Sequence, residues 1–163
     1  MLLRKAQRRS DLIRERGEQT MSKRVLILCT GNSARSQMAE GHLRHDGAGV
    51  FEVFSAGTQP TRVRPEAIAA MQEIGIGISR HRSKSVHEFT GQPFEYIITV
   101  CDSAKESCPV FPANGQRIHW SIEDPAVVNG SEDERRSAFR HARDELRERL
   151  RGFIQGAAAV ATS

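Results

Sequence analysis

An aliphatic run that ends abruptly in a cysteine and a loop of small residues limits the folds open to this chain. The segment reads RVLILCTGNSARSQM from residue 24 to residue 38. Residues 25–28 have the composition of a buried strand, and helical spacing resumes over residues 36–44. A buried strand that leads through a short loop into a helix is typical of α/β domains.

The rest of the chain repeats this alternation of strands and helices. Strand patterns occur at residues 51–55, 96–100 and 117–120, and helical patterns at residues 65–74 and 132–154. Strands that alternate with helices predict a parallel sheet with right-handed connections. We therefore predict a three-layer α/β/α domain with a four-stranded parallel sheet, and ligands bind such sheets beyond the carboxyl ends of their strands.

Composition restricts the function to a few classes. The 163 residues are 38% hydrophobic, which suits one globular domain with a single core. No run approaches the roughly 18 apolar residues of a membrane-spanning helix, so we expect no membrane partner. Lys and Arg number 24 against 20 Asp and Glu, a net charge of +4 that suits an anionic ligand without requiring nucleic acid.

Two end segments flank the predicted domain of residues 24–155. Residues 1–23 are basic and lack the hydrophobic centre of a secretory signal, so we interpret them as a disordered or helical tail. Because Met21 lies just before the first strand, the natural chain could also begin there. A second interpretation of residues 1–23 is an arm that contacts nucleic acid or a partner. Residues 156–163 are predicted to form a C-terminal tail.

The three cysteines favour thiol chemistry over structural bridging. They are odd in number and irregularly spaced, and no CxxC pair of the kind found in zinc sites occurs. Disulfide scaffolds belong mainly to oxidising compartments. We therefore expect a reducing, cytoplasmic location and predict no metal site.

The loop after the first strand has the composition of an anion-binding site. Small residues let successive backbone N–H groups face a tetrahedral oxyanion, beside the positive end of the helix dipole. Arg35 can add a bidentate contact. Without the GK[ST] sequence, the loop is not of the nucleotide-binding type. The predicted oxyanion-binding residues are Thr30, Gly31, Asn32, Ser33, Ala34 and Arg35.

Cys29 begins this loop and is the predicted nucleophile. Electropositive surroundings at a helix N-terminus lower the pKa of a cysteine from about 8.5 toward about 3.5 to 7.5. We therefore expect Cys29 to be a thiolate at neutral pH, with Ser36 donating a hydrogen bond to its sulfur. The alternative is a structural cysteine at the end of a buried strand.

The segment VLILCTGNSARSQMAE resembles the phosphate-binding loop of the low-molecular-weight protein tyrosine phosphatase family, in particular its arsenate reductase branch. The resemblance runs from about residue 24 to residue 153 and includes SAGT at residues 55–58, CDSAKESCP and EDPA. The family places its general acid in an Asp-Pro pair, which implies that role for Asp124, with Glu123 as the nearby rival. Position alone equally allows Asp124 to be a turn residue before Pro125.

Cys101 and Cys108 are predicted to act after Cys29. Cys101 follows a predicted strand, so it reaches the same sheet edge as Cys29 if the two strands are neighbours. On an intact helix the seven residues from Cys101 to Cys108 span about 10.5 Å, whereas a disulfide needs Cα atoms within about 7 Å. The segment would have to unwind to form that bond. The resemblance implies a three-cysteine relay that reduces arsenate, with thioredoxin or glutaredoxin as external reductant and no tightly bound cofactor.

Two other functions remain open at this stage. The first is a phosphatase that hydrolyses phosphomonoesters, although Ala126 and Val127 stand where phosphatases of this fold carry aromatic residues beside the aspartate. The second is a non-catalytic module that binds phosphate, sulfate or arsenate. Some family members hold a monovalent cation near the loop, and Asn32, Glu40 and Ser55 match its ligands. Lys84 falls near the fourth ligand and could replace the cation, so we predict no bound metal.

Overall fold

The computed structural model describes residues 22–102 and 115–161. Its strands are β1 (Lys23–Cys29), β2 (Phe51–Gly57), β3 (Tyr96–Thr99) and β4 (Gln116–His119). Its α-helices are α1 (Arg35–Asp46), α2 (Pro65–Gln72) and α3 (Glu132–Ala161). Single turns of 3₁₀-helix span Val86–Phe89 and Pro125–Val127.

The four strands form one parallel sheet in the order β2-β1-β3-β4. β1 is therefore a central strand, which explains its continuous aliphatic run, because strands covered on both faces need apolar side chains on both. Val25, Leu26, Ile27 and Leu28 are all fully buried. The predicted α/β class with a four-stranded parallel sheet is confirmed.

Different elements cover the two faces of the sheet. Phe51 on β2 packs against Phe153 of α3, with ring centroids 5.3 Å apart. Phe54 points to the opposite face, as alternation along a strand requires, and packs against Phe89 and Phe94. Helices thus cover one face, and the chain around the first 3₁₀ turn covers the other. Within the described ranges, no helix is long and apolar enough to cross a bilayer.

Helix α3 is longer than its apolar pattern predicts. The pattern ends at residue 154, whereas the helix continues to Ala161. Alanine has the highest helix propensity, and residues 157–159 are all alanine. Ala157 is also buried, so this turn has a packing partner. In the residues that the structure describes, α3 continues past residue 156, and the division into domain and tail stays a prediction. Residues 1–21 lie outside them.

His42 is a buried link between α1 and α3. Its side chain is fully buried and its Nε2 lies 2.9 Å from the carbonyl oxygen of Arg143. Burial and, to a smaller extent, the charge of Arg147 lower the pKa of His42, whereas the contact with that carbonyl raises it. The pKa that results is about 4. The imidazole is therefore neutral in the folded protein at neutral pH, with Nε2–H donating to the carbonyl.

We expect the free energy of unfolding to decrease as the pH falls from 6.5 to 4. In this window the unfolded chain takes up a proton at His42 and the folded chain does not, so acid favours unfolding. At 1.36 kcal/mol per pKa unit, a shift from 6.5 to about 4 sets an upper limit of about 3.4 kcal/mol on the loss. Urea titrations across this range measure it. His42→Gln, which keeps a donor for the carbonyl, should remove most of the slope, whereas His45→Gln at an exposed site should keep it. Equal slopes in all three proteins would contradict the assignment.

Candidate active site

The loop that follows β1 turns its backbone carbonyls outward. Thr58, Gln59, Thr61 and Arg64 donate backbone N–H groups to the carbonyls of Cys29, Thr30, Gly31 and Ser33, over 2.9 to 3.2 Å. Ser83 Oγ donates to the carbonyl of Asn32 over 2.7 Å. Because a second segment binds these carbonyls from outside, the N–H groups of the loop are left to face its interior. This is the arrangement of an anion-binding nest.

Asn32 supports the loop from inside the protein. Its backbone is left-handed, with φ of 47°, a conformation that asparagine tolerates better than most residues. Its amide group is fully buried and donates to Ser36 Oγ over 2.7 Å and to Ser55 Oγ over 2.9 Å. Its Oδ1 accepts from Gln37 Nε2 and from the backbone N–H of Lys84, both over 2.9 Å. Every polar group of this side chain is therefore satisfied.

Cys29 lies at the bottom of the loop. Its Sγ is 2.8 Å from Ser36 Oγ and accepts from the backbone N–H of Asn32 over 3.2 Å. Burial raises the pKa of the Cys29 thiol, and the contacts with Ser36 and the charge of Arg35 lower it without reversing the shift. The prediction of a lowered pKa is therefore wrong for this state. The sequence showed the stabilising donors but not the cost of burying a thiolate.

The guanidinium group of Arg35 faces the chain after β4. Its Nη1 donates to the carbonyl of Ile122 over 3.0 Å, and its Nη2 lies 3.6 Å from Asp124 Oδ2. Asp124 Oδ1 also accepts from the N–H of Ala126 over 3.0 Å, at the start of the second 3₁₀ turn. Asp124 is thus a turn residue that also lies near the loop arginine, and its role as general acid stays a prediction.

Cys101 reaches the same sheet edge as Cys29. Leu28 pairs with Thr99 across β1 and β3, which brings Cys101 beside the first residues of the loop. Its Sγ lies 3.4 Å from Thr30 Oγ1. Both cysteines are buried, and Cys101 is close enough to raise the pKa of Cys29. The predicted meeting of these two residues is found. Cys108 lies outside the described residues.

The residues that match a cation site in the resemblance lie behind the loop. Two of them, Asn32 and Ser55, are joined by the hydrogen bond from the Asn32 amide to Ser55 Oγ. Glu40 is almost fully buried and lies 3.0 Å from His81 Nδ1 and 3.1 Å from Arg44 Nη2. Burial raises the pKa of the Glu40 carboxyl group, but the contacts with His81, Lys84 and Arg44 together lower it by more. The pKa is therefore below its usual value, and Glu40 stays ionised at neutral pH. The absence of a metal remains a prediction.

Gln37 and His81 support the loop, and the sequence does not indicate this role for either. Gln37 Nε2 donates to both oxygens of Asn32, and Gln37 Oε1 lies 3.0 Å from His81 Nδ1. His81 thereby connects Gln37 with the buried Glu40. The sequence treats His81 as one of six histidines without shared spacing, and nothing in its neighbourhood indicates a contact 44 residues away.

The fold and the site define a phosphatase-like α/β enzyme with a buried cysteine at the start of a loop of small residues. Residues 24–162 match the family model described as low molecular weight phosphotyrosine protein phosphatase. An arsenate reductase of Halalkalibacterium halodurans is 40% identical over 83% of this chain and 98% of its own. The chain belongs to the low molecular weight phosphotyrosine protein phosphatase family, and the predicted family and enzyme class are confirmed.

Solved structures agree with this placement. One described as an arsenate reductase in the phosphate binding state is 34% identical, with a TM-score of 0.67, and the match covers 82% of this chain and 98% of that one. A thioredoxin-dependent arsenate reductase of Corynebacterium glutamicum is 28% identical with a TM-score of 0.61. That match covers 83% of this chain and 63% of the other. The chain is therefore similar to arsenate reductases over nearly its whole described length.

Gly57 gives a direct test of the loop. A Cβ atom at Gly57 would clash with the carbonyl oxygen of Thr30 and lie 2.8 Å from the backbone nitrogen of Asn32. Gly57→Ala must therefore displace the loop, and we expect phosphate to bind about tenfold more weakly or worse, a loss of about 1.4 kcal/mol. Titration calorimetry with inorganic phosphate measures this. Gly77→Ala, where a Cβ meets open space, is the matched control. Wild-type affinity in Gly57→Ala would show that the loop geometry is wrong.

Proposed function

We propose that the protein reduces arsenate to arsenite by a thiol–disulfide relay, in arsenic detoxification. The observation that carries the proposal is the second buried thiol at the loop, with Cys101 Sγ 3.4 Å from Thr30 Oγ1. Hydrolysis of an ester needs water as its second nucleophile, whereas reduction needs an electron pair from a second thiol. The similarity to arsenate reductases along most of the chain supports the same conclusion.

In the first step Cys29 forms a bond with arsenic. Because burial raises the pKa of Cys29, its proton passes to an oxygen of the bound arsenate dianion as the substrate enters. The sulfur then attacks arsenic, and one hydroxyl group leaves with its electron pair. Asp124 in its acid form donates the proton that turns this hydroxide into water. The loop N–H groups and Arg35, turned from Asp124 toward the anion, stabilise the charge on the remaining oxygens.

In the second step Cys101 reduces arsenic. Its thiolate attacks Cys29 Sγ, a disulfide forms between the two cysteines, and the sulfur–arsenic bond breaks with its electron pair going to arsenic. Arsenic passes from the +5 to the +3 state and leaves as arsenite after taking up protons. The two electrons come from the two thiolates, so no cofactor is required. This step needs Cys101 to lie close to Cys29.

The last steps regenerate the enzyme. Cys108 attacks Cys101, which releases Cys29 and moves the disulfide to the pair Cys101 and Cys108. An external dithiol protein, thioredoxin or glutaredoxin, then reduces that bond by exchange. The description of the Corynebacterium glutamicum neighbour as thioredoxin-dependent supports thioredoxin. A cytoplasmic location would supply such a reductant.

The phosphatase alternative uses Cys29, Arg35 and Asp124 alone. The residues after Asp124 are small or aliphatic, and Val127 is 69% exposed. These features argue against a site for an aromatic phosphoester. The phosphate-bound structural neighbour supports oxyanion binding without distinguishing the reactions. A non-catalytic module would need neither the contact between Cys101 and the loop nor that between Arg35 and Asp124.

Replacing the resolving cysteines separates these functions. We expect Cys101→Ser and Cys108→Ser to lose arsenate-dependent consumption of reductant in a thioredoxin system by about a hundredfold or more, a barrier increase of about 3 kcal/mol. Hydrolysis of a phenyl phosphate by the same variants should change little, because it bypasses both residues. Arsenate turnover at the wild-type rate in both variants would exclude the relay.

A further inference from the structure

His119 bridges the two sides of Cys101. It is the last residue of the edge strand β4 and pairs in register with Thr99. Its Nδ1 lies 2.7 Å from Thr99 Oγ1, two residues before Cys101, and its Nε2 lies 2.8 Å from Asp102 Oδ1, directly after it. Ser121 Oγ donates to the other oxygen of Asp102 over 3.4 Å. Cys101 therefore stands between two anchored neighbours.

The hydrogen bonds assign the protons in this cluster. A carboxylate only accepts, so Nε2–H of His119 donates to Asp102. Nδ1, the other ring nitrogen, is then the hydrogen-bond partner of the hydroxyl group of Thr99. The carboxylate of Asp102 is thus directed to β4 by its contact with His119.

The position of the bridge separates its effect from the chemistry of Cys29. β4 contacts β3 and is separated by it from β1, and the hydrogen bonds of the bridge join only Thr99, His119, Asp102 and Ser121. Its two bonds instead fix the backbone on either side of Cys101, whose Sγ faces Thr30. A disulfide requires Cβ atoms about 3.5 to 4.5 Å apart, so a small shift of Cys101 would delay disulfide formation while anion binding is unchanged.

We propose that His119 is a positioning residue for the second nucleophile: through Asp102 it holds Cys101 in place to attack Cys29. The proposal rests on the proposed role of Cys101 in the relay. It concerns the arrangement of the two thiols, so it can be tested with an oxidant other than arsenate.

Two isosteric variants divide the bridge into its separate bonds. In His119→Gln the amide nitrogen can replace Nε2, which keeps the bond to Asp102 and loses the bond to Thr99. In His119→Asn the amide group lies near the position of Nδ1, which keeps Thr99 and loses Asp102. His87→Gln, at an exposed position of the first 3₁₀ turn, is the control. All variants carry Cys108→Ser, so that the relay stops at the bond between Cys29 and Cys101.

The measured quantity is the rate at which the disulfide between Cys29 and Cys101 forms. It is followed by quenched alkylation and mass spectrometry, in one experiment with arsenate and in another with hydrogen peroxide. Peroxide oxidises Cys29 to a sulfenic acid and releases water; Cys101 then displaces the hydroxyl group, which leaves as water. With peroxide, we expect His119→Asn to form the disulfide about tenfold more slowly than the parent, an increase of about 1.4 kcal/mol in the barrier. The rate of His119→Gln should stay within about threefold of the parent rate. Phosphate affinity should be unchanged in every variant.

The outcomes separate this proposal from the relay itself. If the parent forms the disulfide with peroxide and not with arsenate, the proposed function fails while the positioning role is still tested. Parent-like rates in His119→Asn with peroxide would overturn the positioning role. Equal slowing in both His119 variants, or a parallel loss of phosphate affinity, would also overturn it, because either result indicates general structural damage in place of the bond to Asp102.

Discussion

The pairing of β1 with β3 is the constraint on which the candidate site depends. Parallel strands deliver their carboxyl ends to one edge of the sheet, and the register that sets Leu28 against Thr99 brings both Cys29 and Cys101 to that edge. A slip of one residue would turn the side chains of β3 to the opposite face and separate the two thiols. The fully buried aliphatic residues of β1 resist such a slip, so the apolar core also sets the distance between the two thiols.

A second constraint is the conflict between the proposed binding of an anion and the burial of Cys29, the proposed nucleophile. Backbone N–H groups of residues 58–64 bind the carbonyls of the loop from outside, and the amide of Asn32 binds Ser36 and Ser55 behind it. The N–H groups of the loop are therefore left for an oxyanion. The same enclosure raises the pKa of Cys29. The proposed relay therefore needs a substrate that can itself take up the proton of the thiol, and an arsenate or phosphate dianion has that property. Arg35, held near Asp124 by an ion pair at 3.6 Å, connects the anion site with the predicted acid.

The sequence predicts those parts of the structure that depend on local patterns. The strands, the loop of small residues and the position of Cys29 follow from periodicity and composition, and Cys101 follows from its place after a strand. The support from Gln37 and His81 and the bridge made by His119 depend on contacts between distant segments, for which no local pattern exists. The pKa of Cys29 was predicted in the wrong direction because burial is a tertiary property. The end of α3 was missed because alanines carry no amphipathic signal.

A single turnover without external reductant tests the central claim most directly. The fully reduced protein is mixed with excess arsenate, quenched, and analysed for released arsenite and for the location of disulfides by alkylation and mass spectrometry. The relay predicts about one equivalent of arsenite per chain, with Cys29 free and a disulfide between Cys101 and Cys108. Three free thiols and no arsenite, in a protein that still binds arsenate, would contradict the account.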